Sequence, residues 1–170
     1  GLGVMGLPML ENLAEKGDHD LLAFDRAAEP LRRLEAHPSF GRSLRIAATP
    51  AAFADCEIVV TMLPDSAITN AVLLGTEGEA GLLDSLARGA LIIDMGSSNP
   101  LETTRLAQAA QAKGIDLIDA PVSGAVVKAR SGTLAILVGG DDRQFERARP
   151  VLEAMGTAII RAGRVGAAHS

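Results

Sequence analysis

The sequence predicts an α/β fold built on a doubly wound, mostly parallel sheet, and three observations carry that expectation. Apolar runs alternate with amphipathic segments along all 170 residues, the order of successive βα units. Runs such as Ile58-Val59-Val60 and Leu91-Ile92-Ile93 are apolar throughout rather than alternating, which marks strands covered by helices on both faces. The chain opens on Gly1-Leu2-Gly3-Val4-Met5-Gly6, and Asp25 follows nineteen residues after Gly6, at the end of Leu21-Leu22-Ala23-Phe24.

The elements follow in order. A helix is expected from Met5 to Lys16, with Pro8 in the first turn, where its missing N–H does least harm, and Gly17 ending it. Strands are expected at Asp20–Asp25 and Arg45–Ala47, and Thr49-Pro50 opens a short helix. Further strands fall at Glu57–Met62 and Ala90–Met95. Asn99-Pro100-Leu101-Glu102 combines an N-cap, a proline at the first helical position and an early glutamate, starting a helix that runs to Lys113 and stops at Gly114. A strand at Asp116–Asp119, a helix after Ser123, a strand at Thr133–Val138, a helix over Asp142–Met155 and a strand at Ala158–Arg161 complete the pattern. Pro150 predicts a kink or early break in the last helix.

Residues 1–162 are read as one domain and residues 163–170 as the start of a connection to something further. The strand that should feed the glycine loop would lie before Gly1. Taking the first strand out of a doubly wound sheet leaves backbone donors unpaired, at roughly 1 to 3 kcal/mol for each buried group. The natural protein is therefore expected to be longer at both termini.

Composition narrows the function. Hydrophobic residues at 48% and charged residues at 22% argue against disorder. No apolar run reaches the roughly 20 residues of a bilayer span. A net charge of −5 without a dense Lys/Arg cluster argues against a nucleic-acid partner. The single Cys56 precedes an apolar run and reads as a small packed hydrophobe; it excludes a disulfide framework within one chain. His19, His37 and His169 lack ligand-like spacing, so no metal is expected. Ordinary composition points to a cytoplasmic enzyme.

The chemistry is expected where strands end, because ligands of open α/β sheets bind outside the carboxyl ends of the strands. The first two glycines let the turn tighten and the backbone approach a pyrophosphate, and the third lets helix pack on strand. Asp25 would then accept from the adenosine ribose hydroxyls, which favours NAD; Arg26 beside it keeps NADP as the alternative. Further along the same edge come Met62-Leu63-Pro64-Asp65, Asp94-Met95-Gly96-Ser97-Ser98 and Asp119-Ala120-Pro121-Val122-Ser123-Gly124. Each alone is an ordinary turn, and together they describe a crevice.

These motifs, with Gly132-Thr133-Leu134 and Val138-Gly139-Gly140 in the same order, resemble the β-hydroxyacid dehydrogenase family, which includes 3-hydroxyisobutyrate dehydrogenase and tartronate semialdehyde reductase. The resemblance covers nearly the whole chain. It implies a Rossmann-type domain that binds NAD or NADP, joined to an all-helical C-terminal domain through which the protein would form a homo-oligomer. The residues Gly1, Leu2, Gly3, Val4, Met5 and Gly6, with Met62, Leu63 and Pro64, would border the cofactor, and Ser98 would lie near its nicotinamide end. Ser123 and Gly124 match the contacts to the substrate carboxylate, and the catalytic lysine would fall just beyond Ser170. The implied reaction is hydride transfer between the cofactor and a small anionic 3-hydroxy acid, with a semialdehyde product.

Two departures stand out. Ser123-Gly124-Ala125 replaces a frequent Ser-Gly-Gly, and Gly96 stands where serine is frequent. Lys128 and Arg130 read as a solvated helix face. The rival readings are a 6-phosphogluconate dehydrogenase or imine reductase of the same superfamily, and a non-catalytic nucleotide-binding sensor module.

Overall fold

A computed structural model describes residues 1–170. Helix α1 (Gly6–Lys16) leads into β1 (Leu21–Ala23), α2 (Ala28–Glu35) and β2 (Leu44–Ile46). A 3₁₀ turn over Pro50–Asp55 precedes β3 (Ile58–Thr61), α3 (Ser66–Leu74), a small hairpin of β4 (Gly75–Thr76) and β5 (Glu79–Ala80), and α4 (Leu82–Ser85). Then come β6 (Leu91–Asp94), α5 (Pro100–Ala112), β7 (Asp116–Asp119), β8 (Val122–Ser123), α6 (Ala125–Ser131), β9 (Leu134–Gly139), α7 (Asp142–Met155) and β10 (Gly156–Gly163).

The expected fold class holds. The main sheet runs β10-β9-β7-β6-β3, with β3, β6 and β7 parallel and β9 and β10 parallel to each other. The two groups meet antiparallel at Asp119 and Gly139, and β8 adds an antiparallel rung on β9. Leu91, Ile92 and Ile93 are all fully buried. Leu91 and Ile93 pack with Met9, Leu134 and Leu152 beneath α1, α6 and α7, while Ile92 packs with Leu73, Leu106 and Leu117 beneath α3 and α5. Burial on both faces is why these strands lack polar alternation.

The helix starts are set by local chemistry. The Asn99 side chain accepts from Leu101 N–H, and Asp141 and Gln144 form a reciprocal capping box. Pro150 does not break the last helix early, since α7 runs through it to Met155. Phe145, Ala148, Val151, Leu152 and Met155 form its buried face, and that packing outweighs one lost backbone bond. Helices α2, α3 and α4, the β4–β5 hairpin and β8 had no assigned place in the sequence pattern; most are short pieces set by tertiary contacts.

The sheet is interrupted. Strands β1 and β2 pair only with each other, and a cleft of about 730 Å³ separates β1 from β3. Leu21 and Ala23 line one wall and Ile58 and Val60 the other, over a floor that includes Met9 and Met155. Both walls are parallel-strand edges, so the cleft has the chemistry to accept one apolar strand between them. An added segment of six β-branched residues before Gly1 is expected to raise the thermal midpoint by roughly 5 °C or more. The same segment interrupted by proline should leave the midpoint near that of the 170-residue chain, as followed by circular dichroism.

Candidate functional site at the carboxyl ends of the strands

The glycine loop bridges the cleft where β1 and β3 end. A Cβ on Gly1 would meet the Met62 carbonyl oxygen at 2.5 Å, and one on Gly6 would overlap the Gly1 carbonyl. Both positions are closed to any side chain, so α1 can start against β3. Gly3 differs, because a Cβ there would meet nothing within 4 Å. It faces open space, where a side chain would stand between the loop and a ligand.

The donors fit an anion. The backbone N–H groups of Gly3, Val4, Met5 and Gly6 make no hydrogen bond within the chain. They sit at the positive end of an 11-residue helix with no side-chain cap, the arrangement that holds a diphosphate. Val4 is exposed and Met5 half-buried.

Asp25 closes the loop from the other side. Its Oδ2 accepts from Leu2 N–H at 2.6 Å and its Oδ1 from Ala27 N–H at 2.7 Å. Burial raises its pKa, but the backbone N–H groups of Leu2, Ala27 and Arg26 hold it below the ordinary carboxylate value. Each oxygen keeps a further lone pair, which suits a ribose diol. Arg26, beside Asp25, is largely exposed and pairs with Glu79 at 3.4 Å, an exposed contact that leaves its guanidinium open to solvent.

Further along the edge the loops lock together. A Cβ on Gly96 would overlap the Leu63 carbonyl, so the turns after β3 and β6 abut. Leu63 is half-buried and Pro64 exposed, and the Asp65 side chain caps α3 through Ile68 N–H. Asp94, buried at the end of β6, accepts from Thr61 Oγ1 at 2.9 Å and Ser98 Oγ at 3.2 Å. Ser98 is thus oriented by a buried carboxylate.

At the next strand exit Ser123 is exposed and its hydroxyl has no partner in the chain. Gly124 has φ of 136° and Ala125 φ of 54°, the one non-glycine residue of the chain at positive φ. The departure from Ser-Gly-Gly is therefore a strained one, since alanine in the left-handed region costs about 1 to 2 kcal/mol. Lys128 and Arg130 are both exposed, as expected of a solvated helix face, with the Lys128 stem lying back over Gly124. Burial pushes the pKa of the Cys56 thiol up, with Asp55 adding to it, which favours the protonated thiol over the thiolate.

The structure thus gathers the glycine loop, Asp25, Met62, Leu63 and Ser98 around one edge, with Ser123 at its far end. Sequence reasoning missed Asp119 and His169. The Asp119 carboxylate is fully buried and takes the backbone N–H groups of Gly166, Ala168 and His169. Its only signal was its place as a polar residue ending the apolar run of β7.

Two outcomes follow. Asp25→Ser is expected to weaken NAD binding roughly 10- to 100-fold, the loss of charge-assisted hydrogen bonds, and NADP binding less, as read by titration. The folded pKa of Asp25 lies below its unfolded value, so its contribution is complete above about pH 4 and fades as pH falls through the folded value; NAD affinity should fall with it. Ala125→Gly should stabilise the protein by about 1 kcal/mol through relief of the positive φ, measured by urea unfolding.

Comparison with known proteins gives the family. The family described as the NAD binding domain of 6-phosphogluconate dehydrogenase matches residues 1–163. The chain is 42% identical over 167 residues to 3-sulfolactaldehyde reductase of Escherichia coli K12, and 41% identical over 167 residues to 3-hydroxyisobutyrate dehydrogenase of Pseudomonas aeruginosa. Each match covers 98% of this chain and 53% of the relative, so the chain spans about half the length of the curated relatives it matches. Among solved structures, Mycobacterium tuberculosis 3-hydroxyisobutyrate dehydrogenase with L-serine superposes with a TM-score of 0.86 at 34% identity, over 99% of this chain and 54% of that one.

Proposed function

We propose a function from the premise that this chain belongs to the family of the NAD binding domain of 6-phosphogluconate dehydrogenase, among the β-hydroxyacid dehydrogenases. The chain is the cofactor-holding part of an NAD(P)-dependent oxidoreductase whose substrate is a small anionic 3-hydroxy acid of the 3-hydroxyisobutyrate type. The observation that carries this reading is the Asp25 carboxylate bonded across to Leu2 N–H, with four free backbone donors beside it. That pairing offers a diphosphate and a ribose their partners at adjacent points. No helix is long and apolar enough to cross a membrane.

The residues divide the work. The N–H groups of Gly3 to Gly6 hold the diphosphate, and Asp25 accepts from the ribose, which favours NAD over NADP. Met62, Leu63 and Pro64 wall the cofactor on the β3 side. Ser98, fixed by Asp94, presents its hydroxyl oxygen toward the nicotinamide end. Ser123 offers a free hydroxyl to the substrate carboxylate beside Gly124. The bound cofactor supplies hydride acceptance and donation. The proton of the substrate hydroxyl passes to a lysine beyond Ser170, a transfer typically worth 10²- to 10⁴-fold. The assembled protein is a homo-oligomer of the cytoplasm, formed through its helical part.

Titration of the full-length protein with NAD and NADP separately, followed by a panel of short 3-hydroxy acids read by absorbance of the reduced nicotinamide, tests this reading. NAD binding with turnover of a 3-hydroxy acid is expected. Binding without turnover of any acid leaves a nucleotide-binding module, and binding of neither cofactor removes the assignment.

A further inference from the structure

The chain that leaves β10 does not run off into solvent. It folds back across the ends of β6 and β7, and a buried carboxylate holds it there. Asp119 Oδ1 accepts from Gly166 N–H at 2.8 Å, and Oδ2 accepts from Ala168 and His169 N–H at 2.9 and 3.0 Å. The fit is close on every side: a Cβ on Gly139 would overlap Asp119 Oδ1. The side chain that packs beside it is the His169 ring, its Nδ1 3.9 Å from Oδ2.

His169 extends the anchorage to two more elements. Its ring is 2% exposed. Nε2 faces the Gly96 carbonyl at 3.0 Å and so can only donate, while Nδ1 shares a hydrogen bond of 2.8 Å with Thr103 Oγ1 on α5. Gly96 lies in the turn that abuts Leu63 and leads to Ser98. The segment 166–169 is thereby tied to β7, to α5 and to the turn beside the cofactor-facing residues. Ser170 Oγ donates back to Gly166 O at 3.0 Å, closing a compact turn.

We propose that Asp119 and His169 form a clasp that fixes where the chain leaves this domain, and that His169 is a positioning residue for the reaction. The inference rests on the reading above in one respect: the proton-transfer group lies just beyond Ser170. An exit held to the Gly96 turn holds that group in register with Ser98 and Ser123. Misplacement by about 1 Å of such a group can cost 10²-fold in rate, and supporting hydrogen-bond partners are commonly worth 10- to 100-fold.

The test uses the full-length protein with His169→Ala, His169→Gln and Asp119→Asn. It reads steady-state turnover of 3-hydroxyisobutyrate, NAD affinity by titration, and amide hydrogen exchange of the peptide covering residues 164–170. His169→Ala is expected to lower kcat roughly 10- to 100-fold, to leave NAD affinity within about twofold, and to speed exchange over residues 166–169. The glutamine amide N–H can still reach the Gly96 carbonyl, so His169→Gln should recover most of the rate. Unchanged kcat in His169→Ala, or a loss of NAD affinity as large as the loss of rate, would overturn the clasp. If wild type binds NAD but turns over no acid, the functional reading fails by itself; the clasp then stands or falls on exchange. Should Asp119→Asn not fold, the two His169 variants decide the matter.

Discussion

Buried carboxylates at strand ends, satisfied by donors other than lysine or arginine, are the constraint on which the rest of this structure depends. Asp94 and Asp119 are neighbours in register on β6 and β7, and both are essentially inaccessible to solvent. A carboxylate in such a place costs several kcal/mol unless its lone pairs are filled. Thr61 and Ser98 hydroxyls fill those of Asp94, and the backbone after Gly163 fills those of Asp119. Asp25, half-buried at the end of β1, is filled by Leu2 and Ala27 in the same manner. These three strands, β1, β6 and β7, thus end in anchors that dictate the path of a loop, and the loops are what face the crevice.

This arrangement explains how flexible-looking segments become rigid enough to carry a site. The glycine loop is pinned from below by Met62 and from the side by Asp25. The turn after β6 is pinned by Asp94, by Leu63 and by the ring of His169. Loops usually contribute mobility; here each reaches back to a sheet packed on both faces, so their positions inherit the order of the core. The apolar strands supply that order through Leu91, Ile93 and Ile118 on one side and Ile92 and Leu117 on the other.

The parts of this design that the sequence displayed are those whose residue type is forced by local geometry. Gly1 and Gly6 can be nothing else where backbone meets backbone, and Asn99-Pro100 announces a helix by its own capping. The continuous apolar runs announced a sheet covered on both faces. What stayed hidden depends on partners distant in the chain. The donors to Asp119 are backbone groups 47 and more residues away, and a backbone N–H leaves no mark on residue identity. Pro150 did not end α7, because its local penalty is smaller than the packing of the helix face around it. Arg26 was marked by adjacency to Asp25, and its exposed pairing with Glu79 left no trace in the sequence. The strain at Ala125 was legible only as a missing glycine; its sign appeared with the backbone angle.

Asp25 has a bearing on how such a domain can change over evolutionary time. The same carboxylate that would read the ribose also holds the glycine loop through Leu2. Any substitution that opens room for a 2′-phosphate removes a fastening of the loop at the same stroke. Drift toward the phosphorylated cofactor is therefore not a free walk through neutral variants, because the first step loosens the cradle before a new contact exists. A lineage could cross only where another residue had already taken over the Leu2 N–H. On the proposed reading of Asp25, cofactor preference and loop order are one inherited trait, not two.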